Sequence, residues 1–338
     1  MTARSVQEGP GLRYLSAADV GAAMPPLKER LRLAERTMTA LADGSAELPP
    51  KIGVHPRPEG SFAHAMPAHL RGDDAAGDLL GVKWIAGFPD NRAIDMAAIH
   101  GLVLLTDPST GAPAAILDAA PITAERTAAV SGVAIRLFAP AVNGRASRVA
   151  ILGAGVQGRS HLAVIAHLLP GVELAVFDRH PDRAAALAEA AGTLPGIGRA
   201  RVASSPIDAT GPADVVVTAA SFAPPAERQS LTSDWLAADA LVVAVDYATY
   251  VAASVARSAA LFVVDQREQF LANRDAGSFD DYPDPATTIG EAILAGTGHP
   301  GRGRVVVSHL GVGLADLVFG DAILRRAVAA GVGTILQA

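Results

Sequence analysis

The sequence predicts an α/β protein of two domains, and three observations carry that prediction. From residue 148 onward, strand-like and helix-like segments alternate, the pattern of a parallel sheet with helices on both faces. The apolar run at 149–152 ends in Gly153, Gly155 and Gly158 at G-x-G-x-x-G spacing. Before residue 148, short strand-like pieces separated by Pro, Gly and Asp clusters read as an antiparallel sheet. A chain of 338 residues suits two domains and can bury a sizeable core in each.

The elements follow in order. Residues before 12 are polar and read as loose. Ser16 with Asp19 three positions on is a helix-start signal. Pro25-Pro26 interrupts, and 27–42 then shows helical apolar spacing that stops at Gly44. Segments 51–54, 61–66 and 81–85 read as strands, while 102–106 and 114–117 flank a turn at Asp107-Pro-Ser-Thr-Gly111. A helix is expected over 123–137 with Thr123 as its cap, and the polar patch 143–147 leads into the glycine segment. Strands are then expected at 148–152, 173–178, 200–203, 214–218, 241–245, 261–264 and 304–308. Helices are expected near 157–168, 181–191, 232–236, 287–295 and 313–330. Residues 265–285 carry many charges and little apolar pattern, so a surface excursion is expected there.

The glycine segment has a specific physical reading. Gly153 permits a tight turn, and Gly155 lets the backbone approach a pyrophosphate. Gly158 lets the helix that opens at Gln157, just after Val156, pack closely on the strand. Free N–H groups and the positive end of the helix dipole then face the phosphates. Asp178, twenty residues past Gly158, closes the second strand, where a carboxylate can accept both ribose hydroxyls. Together these predict a Rossmann domain that binds NAD. NADP is disfavoured because its 2′-phosphate would meet Asp178, although Arg179 next door can pair with a phosphate. Thr218 and Ala219 to Ser221 follow a later strand of this domain and should pass the cofactor mainly through their backbone.

Composition narrows the rest. Net charge is −6 with no extended basic run, which gives no support to nucleic-acid or anionic-membrane binding. The absence of cysteine excludes disulfides, thiolate catalysis and Cys-based zinc sites. No apolar run reaches the length of a membrane span, and no signal-peptide pattern opens the chain, so the cytoplasm is expected. No His/Asp/Glu cluster has metal-ligand spacing.

Several motifs outside the glycine loop then resemble one family. They are Val82-Lys83-Trp84-Ile85 with Gly87-Phe88-Pro89-Asp90-Asn91, Leu105-Thr-Asp107-Pro-Ser-Thr-Gly111-Ala-Pro113, Ile122-Thr123-Ala-Glu-Arg126-Thr127, and Ser308-His-Leu-Gly311-Val-Gly-Leu-Ala315-Asp316. In this order they resemble the ornithine cyclodeaminase/mu-crystallin family, with archaeal alanine dehydrogenase, ketimine reductases and opine-type amino-acid dehydrogenases. The resemblance runs from about residue 50 to the C-terminal end. It implies an α/β substrate-binding and dimerisation domain, residues 1–130 with the C-terminal helix 313–338, and a Rossmann domain, residues 131–312. It also implies a homodimer and hydride chemistry at a carbon–nitrogen bond of a small amino acid or imine.

The resemblance assigns roles residue by residue. Lys83 becomes a catalytic lysine, since an ammonium in a closed pocket can bind carboxylate or lose its proton and act as a base. Arg126 becomes the substrate-carboxylate ligand, for which its fork is suited. Asp246, at the end of strand 241–245, becomes the group that handles the substrate nitrogen, although Val245 replaces the usual preceding glycine. Lys51 stands near where relatives carry a second carboxylate-binding arginine, with Arg57 the alternative. His64 stands where ornithine cyclodeaminases place a glutamate for the distal amine, and a histidine holds that ammonium poorly. This argues against ornithine or lysine as substrate. His309 has a weak claim to the nicotinamide, and Asp316 either caps the last helix or contacts the substrate domain. An NAD(H)-dependent oxidoreductase is therefore expected. A cyclodeaminase with bound NAD and a mu-crystallin-like binding protein are the alternatives.

Overall fold

The computed structural model describes residues 11–74, 77–140, 147–221 and 227–337. The leading residues and all of the expected linker patch except Ser147 lie outside the described residues. In chain order the elements begin with β1 (Leu12–Leu15), α1 (Ala17–Ala22), α2 (Leu27–Asp43), β2 (Ala46–Glu47), β3 (Ile52–Val54), β4 (Phe62–Leu70), β5 (Leu79–Gly87), β6 (Ile99–Thr106), β7 (Pro113–Asp118) and α3 (Ala119–Phe138). They continue with β8 (Arg148–Leu152), α4 (Val156–Leu168), β9 (Val172–Phe177), α5 (Pro181–Gly192), β10 (Ile197–Val202), α6 (Pro206–Thr210), β11 (Val215–Thr218), β12 (Leu241–Ala244), α7 (Ala253–Ser258), β13 (Leu261–Val264) and α8 (Arg267–Asp275). The last are β14 (Thr287–Thr288), α9 (Ile289–Ala295), β15 (Val305–Ser308), α10 (Gly313–Ala329) and β16 (Thr334–Leu336). Among the described residues no helix is long and apolar enough to cross a membrane.

The chain divides into two compact units. The first comprises residues 1–26, 45–123 and 313–338, and the second residues 27–44 and 124–312. The first is built on a mixed sheet ordered β16-β1-β7-β6-β5-β4-β2, with β3 also paired to β4. Its hairpin strands are antiparallel, and β1 joins β7 in parallel. Helix α10 packs on β4, β5 and β6. Ser16 caps α1 in a full capping box with Asp19.

The second unit is built on a parallel sheet ordered β10-β9-β8-β11-β12-β15-β13-β14. Its central strands are continuous apolar runs, such as Val215-Val-Val-Thr218 and Val305-Val-Val-Ser308, because both faces are covered.

The structure corrects three local expectations. Thr123 is not a cap: α3 begins at Ala119, where the Asp118 carboxylate accepts from the Ala120 N–H at 2.8 Å. Only the short 3₁₀ turn Ser233–Trp235 forms where a helix was expected at 232–236. Residues 265–285 are not a surface excursion. They contain α8 and bury Phe270, Phe279 and Tyr282, which pack with Phe262 into an aromatic cluster.

Candidate active site

In the first unit, strand alternation builds a basic face. Lys83 lies in β5 opposite Met66 and Val103 and is fully buried. Its Nζ donates to Asp316 Oδ1 at 2.6 Å and to Thr123 Oγ1 at 2.7 Å, and the Thr123 hydroxyl donates on to the Ala119 carbonyl. Asp316 stands in the first turn of α10, so the sequence alternatives of cap and contact resolve as a buried ion pair.

His64 lies in β4 opposite Gly53 and Ile85, two residues from Met66, and so shares the Lys83 face. Lys51, two residues before Gly53 and half-buried, is placed on that face by the same alternation. Burial pushes the His64 imidazole down to about 4, helped by the positive charges of Lys51 and His55. His64 is therefore neutral at physiological pH, stacked on Phe62 at 4.7 Å.

The second unit holds the glycine loop. Gly153 sits at φ 109, and a Cβ there would stand 2.4 Å from the Ala219 carbonyl oxygen. A Cβ on Gly158 would stand 2.1 Å from the Gly153 oxygen, so α4 and β8 approach as closely as glycine allows. Gly155 has nothing within 4 Å of a Cβ position, and Val156 beside it is exposed. A cleft of about 440 Å³ opens here, lined by Ala154, Gly155, Val156, Arg159, Ser160 and Arg183 among others.

Asp178 Oδ2 accepts from the Ala154 N–H at 2.7 Å, and Oδ1 accepts from the His180 N–H at 2.8 Å. These bonds anchor the carboxylate beside the loop, and Arg179 is exposed. Gln157 Oε1 is buried without a hydrogen-bond partner among the described residues. Open space at Gly155, an unmatched acceptor on Gln157 and the N-terminus of α4 fit a dinucleotide.

Asp246 lies just past the carboxyl end of β12, where ligands bind in open α/β sheets. It is buried, accepting from Thr218 Oγ1 at 2.7 Å and from the Ala220 N–H at 3.1 Å. Burial outweighs those bonds and pushes its carboxyl up to about 7. Thr218 thus spends its hydroxyl on Asp246. Ala219 contributes backbone, bonding through its N–H to the Leu152 carbonyl, and Ser221 lies exposed beyond it. Arg126 is buried on α3.

Sequence reasoning passed over a buried chain that joins the loop helix to β15. His161 Nδ1 bonds the Gln157 carbonyl at 2.6 Å, His161 Nε2 bonds Ser131 Oγ at 2.7 Å, and Ser131 Oγ bonds His309 Nε2 at 2.8 Å. A carbonyl can only accept, which sets every direction along the chain. His161 donates from Nδ1, Ser131 donates to His161 Nε2, and His309 donates from Nε2 to Ser131. Burial holds His161 neutral, with a pKa of about 4.

A match to a known family covers most of the chain. A sequence model of the ornithine cyclodeaminase/mu-crystallin family matches residues 14–310. The protein belongs to that family. Within the family's reach, it is 32% identical over 332 residues to the nodulation efficiency protein NfeD of Rhizobium meliloti, covering 96% of this chain and 98% of that one. It is 31% identical over 195 residues to ketimine reductase mu-crystallin of Mus musculus, 58% of this chain and 57% of that one. Among solved structures, the Delta(1)-pyrroline-2-carboxylate reductase of Thermococcus litoralis, in complex with NADH and L-proline, shares the fold with a TM-score of 0.82. That match has 24% identity and covers 96% of this chain and 100% of that one.

Proposed function

We propose that this family member is an NAD(H)-dependent oxidoreductase acting on the carbon–nitrogen bond of an amino acid, an N-substituted amino acid or a cyclic imine. The observation that carries the reading is Asp246. It is a buried acid at the carboxyl edge of a dinucleotide-binding sheet, poised to exchange a proton near neutrality. The relatives' chemistry supports it, since a ketimine reductase and an NADH-bound pyrroline carboxylate reductase both act on such bonds.

When bound, NAD(H) supplies hydride transfer. The chain's own residues supply the rest. Arg126, with its planar fork, and Lys51 hold the substrate carboxylate. Lys83, fixed by Asp316 and Thr123, contributes a buried positive charge to the substrate side. Asp246 gives its proton to the nitrogen when an imine is reduced and takes it back when an amine is oxidised. Gly153, Gly155, Val156, Gln157, Gly158, Thr218, Ala219 and Ser221 line the coenzyme. Asp178 meets the ribose hydroxyls and selects NAD over NADP, with Arg179 at the rim.

The active form is a cytoplasmic homodimer. Ile52, Trp84 and Leu102, joined through Ala65, form an apolar row across β3–β6 on the face opposite Lys83. They are 63%, 47% and 42% exposed, a surface suited to a second copy.

One screen tests the activity: amines, 2-oxo acids with ammonium, and cyclic imines, following NADH absorbance and ammonia together. A coenzyme-coupled signal is expected, with NADH binding tighter than NADPH. Ammonia release without net absorbance change marks a cyclodeaminase instead, and tight ligand binding without turnover marks a binding protein.

A further inference from the structure

Arg126 does not lie against an ordinary peptide. A Cβ on Gly311 would stand 2.5 Å and 2.7 Å from its two terminal nitrogens and 3.0 Å from its Cζ. The guanidinium therefore occupies the space a side chain would fill. Gly311 follows β15 and sits at φ 80, a conformation that glycine adopts freely. Its peptide groups are pinned on both sides. The N–H donates to Asp265 Oδ2 at 2.7 Å, and the carbonyl accepts from Gln269 Nε2 at 3.2 Å. Asp265 follows β13 and Gln269 lies in α8, and both are as buried as Arg126 itself.

We infer that Gly311, held by Asp265 and Gln269, is a positioning residue that seats the Arg126 guanidinium for the substrate carboxylate. The seat thereby sets the enzyme's preference for imines that carry a carboxylate. The inference rests on the proposed function, in which Arg126 takes that carboxylate. Its physical basis is rotamer restriction. An arginine side chain loses much rotamer freedom when it is fixed, and a bidentate contact needs the fork held in one orientation. A pinned peptide without a Cβ lets the guanidinium lie directly against it. Added volume there moves the flexible guanidinium before it moves the backbone.

The test compares NADH-dependent reduction of the best carboxylate-bearing imine from the screen with the same imine lacking its carboxylate. Gly311→Ala is expected to raise KM for the acid about tenfold or more, with kcat within about threefold, and to leave the decarboxylated imine and NADH binding unchanged. Gln269→Met, which removes the carbonyl's anchor at similar volume, shifts the same ratio in the same direction by less. Gly277→Ala is the control for backbone strain alone. It too has positive φ, 82, but only the Asp280 carboxylate at 3.9 Å nearby, and it leaves the ratio unchanged. If Gly311→Ala and Gln269→Met both keep the wild-type preference while Arg126→Ala loses it, the seat is refuted and the role of Arg126 stands. If Arg126→Ala also keeps the preference, the carboxylate reading fails first and takes the seat with it. Should Gly311→Ala fail to fold, Gln269→Met decides.

Discussion

Two buried aspartates, one in each unit, meet opposite surroundings. Asp316 faces the Lys83 ammonium at 2.6 Å. Asp246 faces a hydroxyl and an amide N–H, with no cation among the partners found in the described residues. A buried carboxylate beside a full positive charge is locked into a pair, because separating the two leaves an uncompensated charge in the interior. A buried carboxylate with neutral donors is pushed up to about 7 and can change state within the physiological range. The first unit thus holds a fixed ion pair and the second a carboxyl that titrates near neutrality. The same residue type serves both because its neighbours differ.

The largest effect is expected from breaking the fixed pair. Lys83→Met should strand Asp316 in the interior of the first unit and cost ~3–5 kcal/mol of stability. Turnover should vanish. The double variant Lys83→Met with Asp316→Leu should recover most of the stability and none of the activity. NADH binding, read by fluorescence, should survive in both. Urea denaturation decides the matter: a single variant within about 1 kcal/mol of wild type would show that the pair is not what holds this interior together.

How much of this contrast was legible in the sequence depends on chain distance. Lys83 was legible because its motif and the alternation of β5 are local. Its partner was not, since Asp316 is 233 residues away and enters through α10. The Ser131–His161–His309 chain spans gaps of 30 and 178 residues and leaves no local pattern. The glycine loop and Asp178 were legible because turn, helix start and strand end follow one another within a single βαβ unit. The 265–285 segment misled for a related reason. Phe270, Phe279 and Tyr282 show neither helical nor strand periodicity, and they become core only when Phe262 of β13 is brought against them. At α3, Asp118 outcompeted Thr123 as the cap, and Pro121 fits the first turn, where its missing N–H costs nothing.

A second test sets Asp246 against His161, both buried in the second unit. The folded state raises Asp246 to about 7 from ~3.9, so the native chain keeps a proton that the unfolded chain releases. Its stability contribution is complete below about pH 4 and is lost as pH rises toward 7, at roughly 1.4 kcal/mol per pH unit in between. His161 has the opposite sign: lowered to about 4 from ~6.5, its contribution is complete above pH ~6.5 and is lost as pH falls toward 4. Relative to wild type, Asp246→Asn should make acidification between about pH 6.5 and 4.5 more destabilising, and His161→Asn should make it less so. Urea midpoints across that window read both slopes, and parallel curves for all three proteins would remove Asp246 and His161 as opposing titrating groups. On the proposed assignment of Asp246 as proton donor, imine reduction should decline above about pH 7 and amine oxidation should rise there. Asp246→Asn should lose both limbs.

The smallest effect should come from altering the neutral donors around Asp246 without touching its charge. The Thr218 hydroxyl donates to Oδ1 at 2.7 Å inside a strand, and a hydrogen bond to the charged form favours that form. Thr218→Val keeps the β-branched shape that suits β11 and removes only the donor. The Asp246 carboxyl should then rise further, moving the pH midpoint of reductive kcat/KM upward by about one unit. The maximal rate at low pH should change little, because the protonated acid remains in place. A Thr218→Val midpoint equal to or below wild type would mean that the proton governing turnover does not sit on Asp246, and the contrast between the two aspartates would have to be rebuilt around another group.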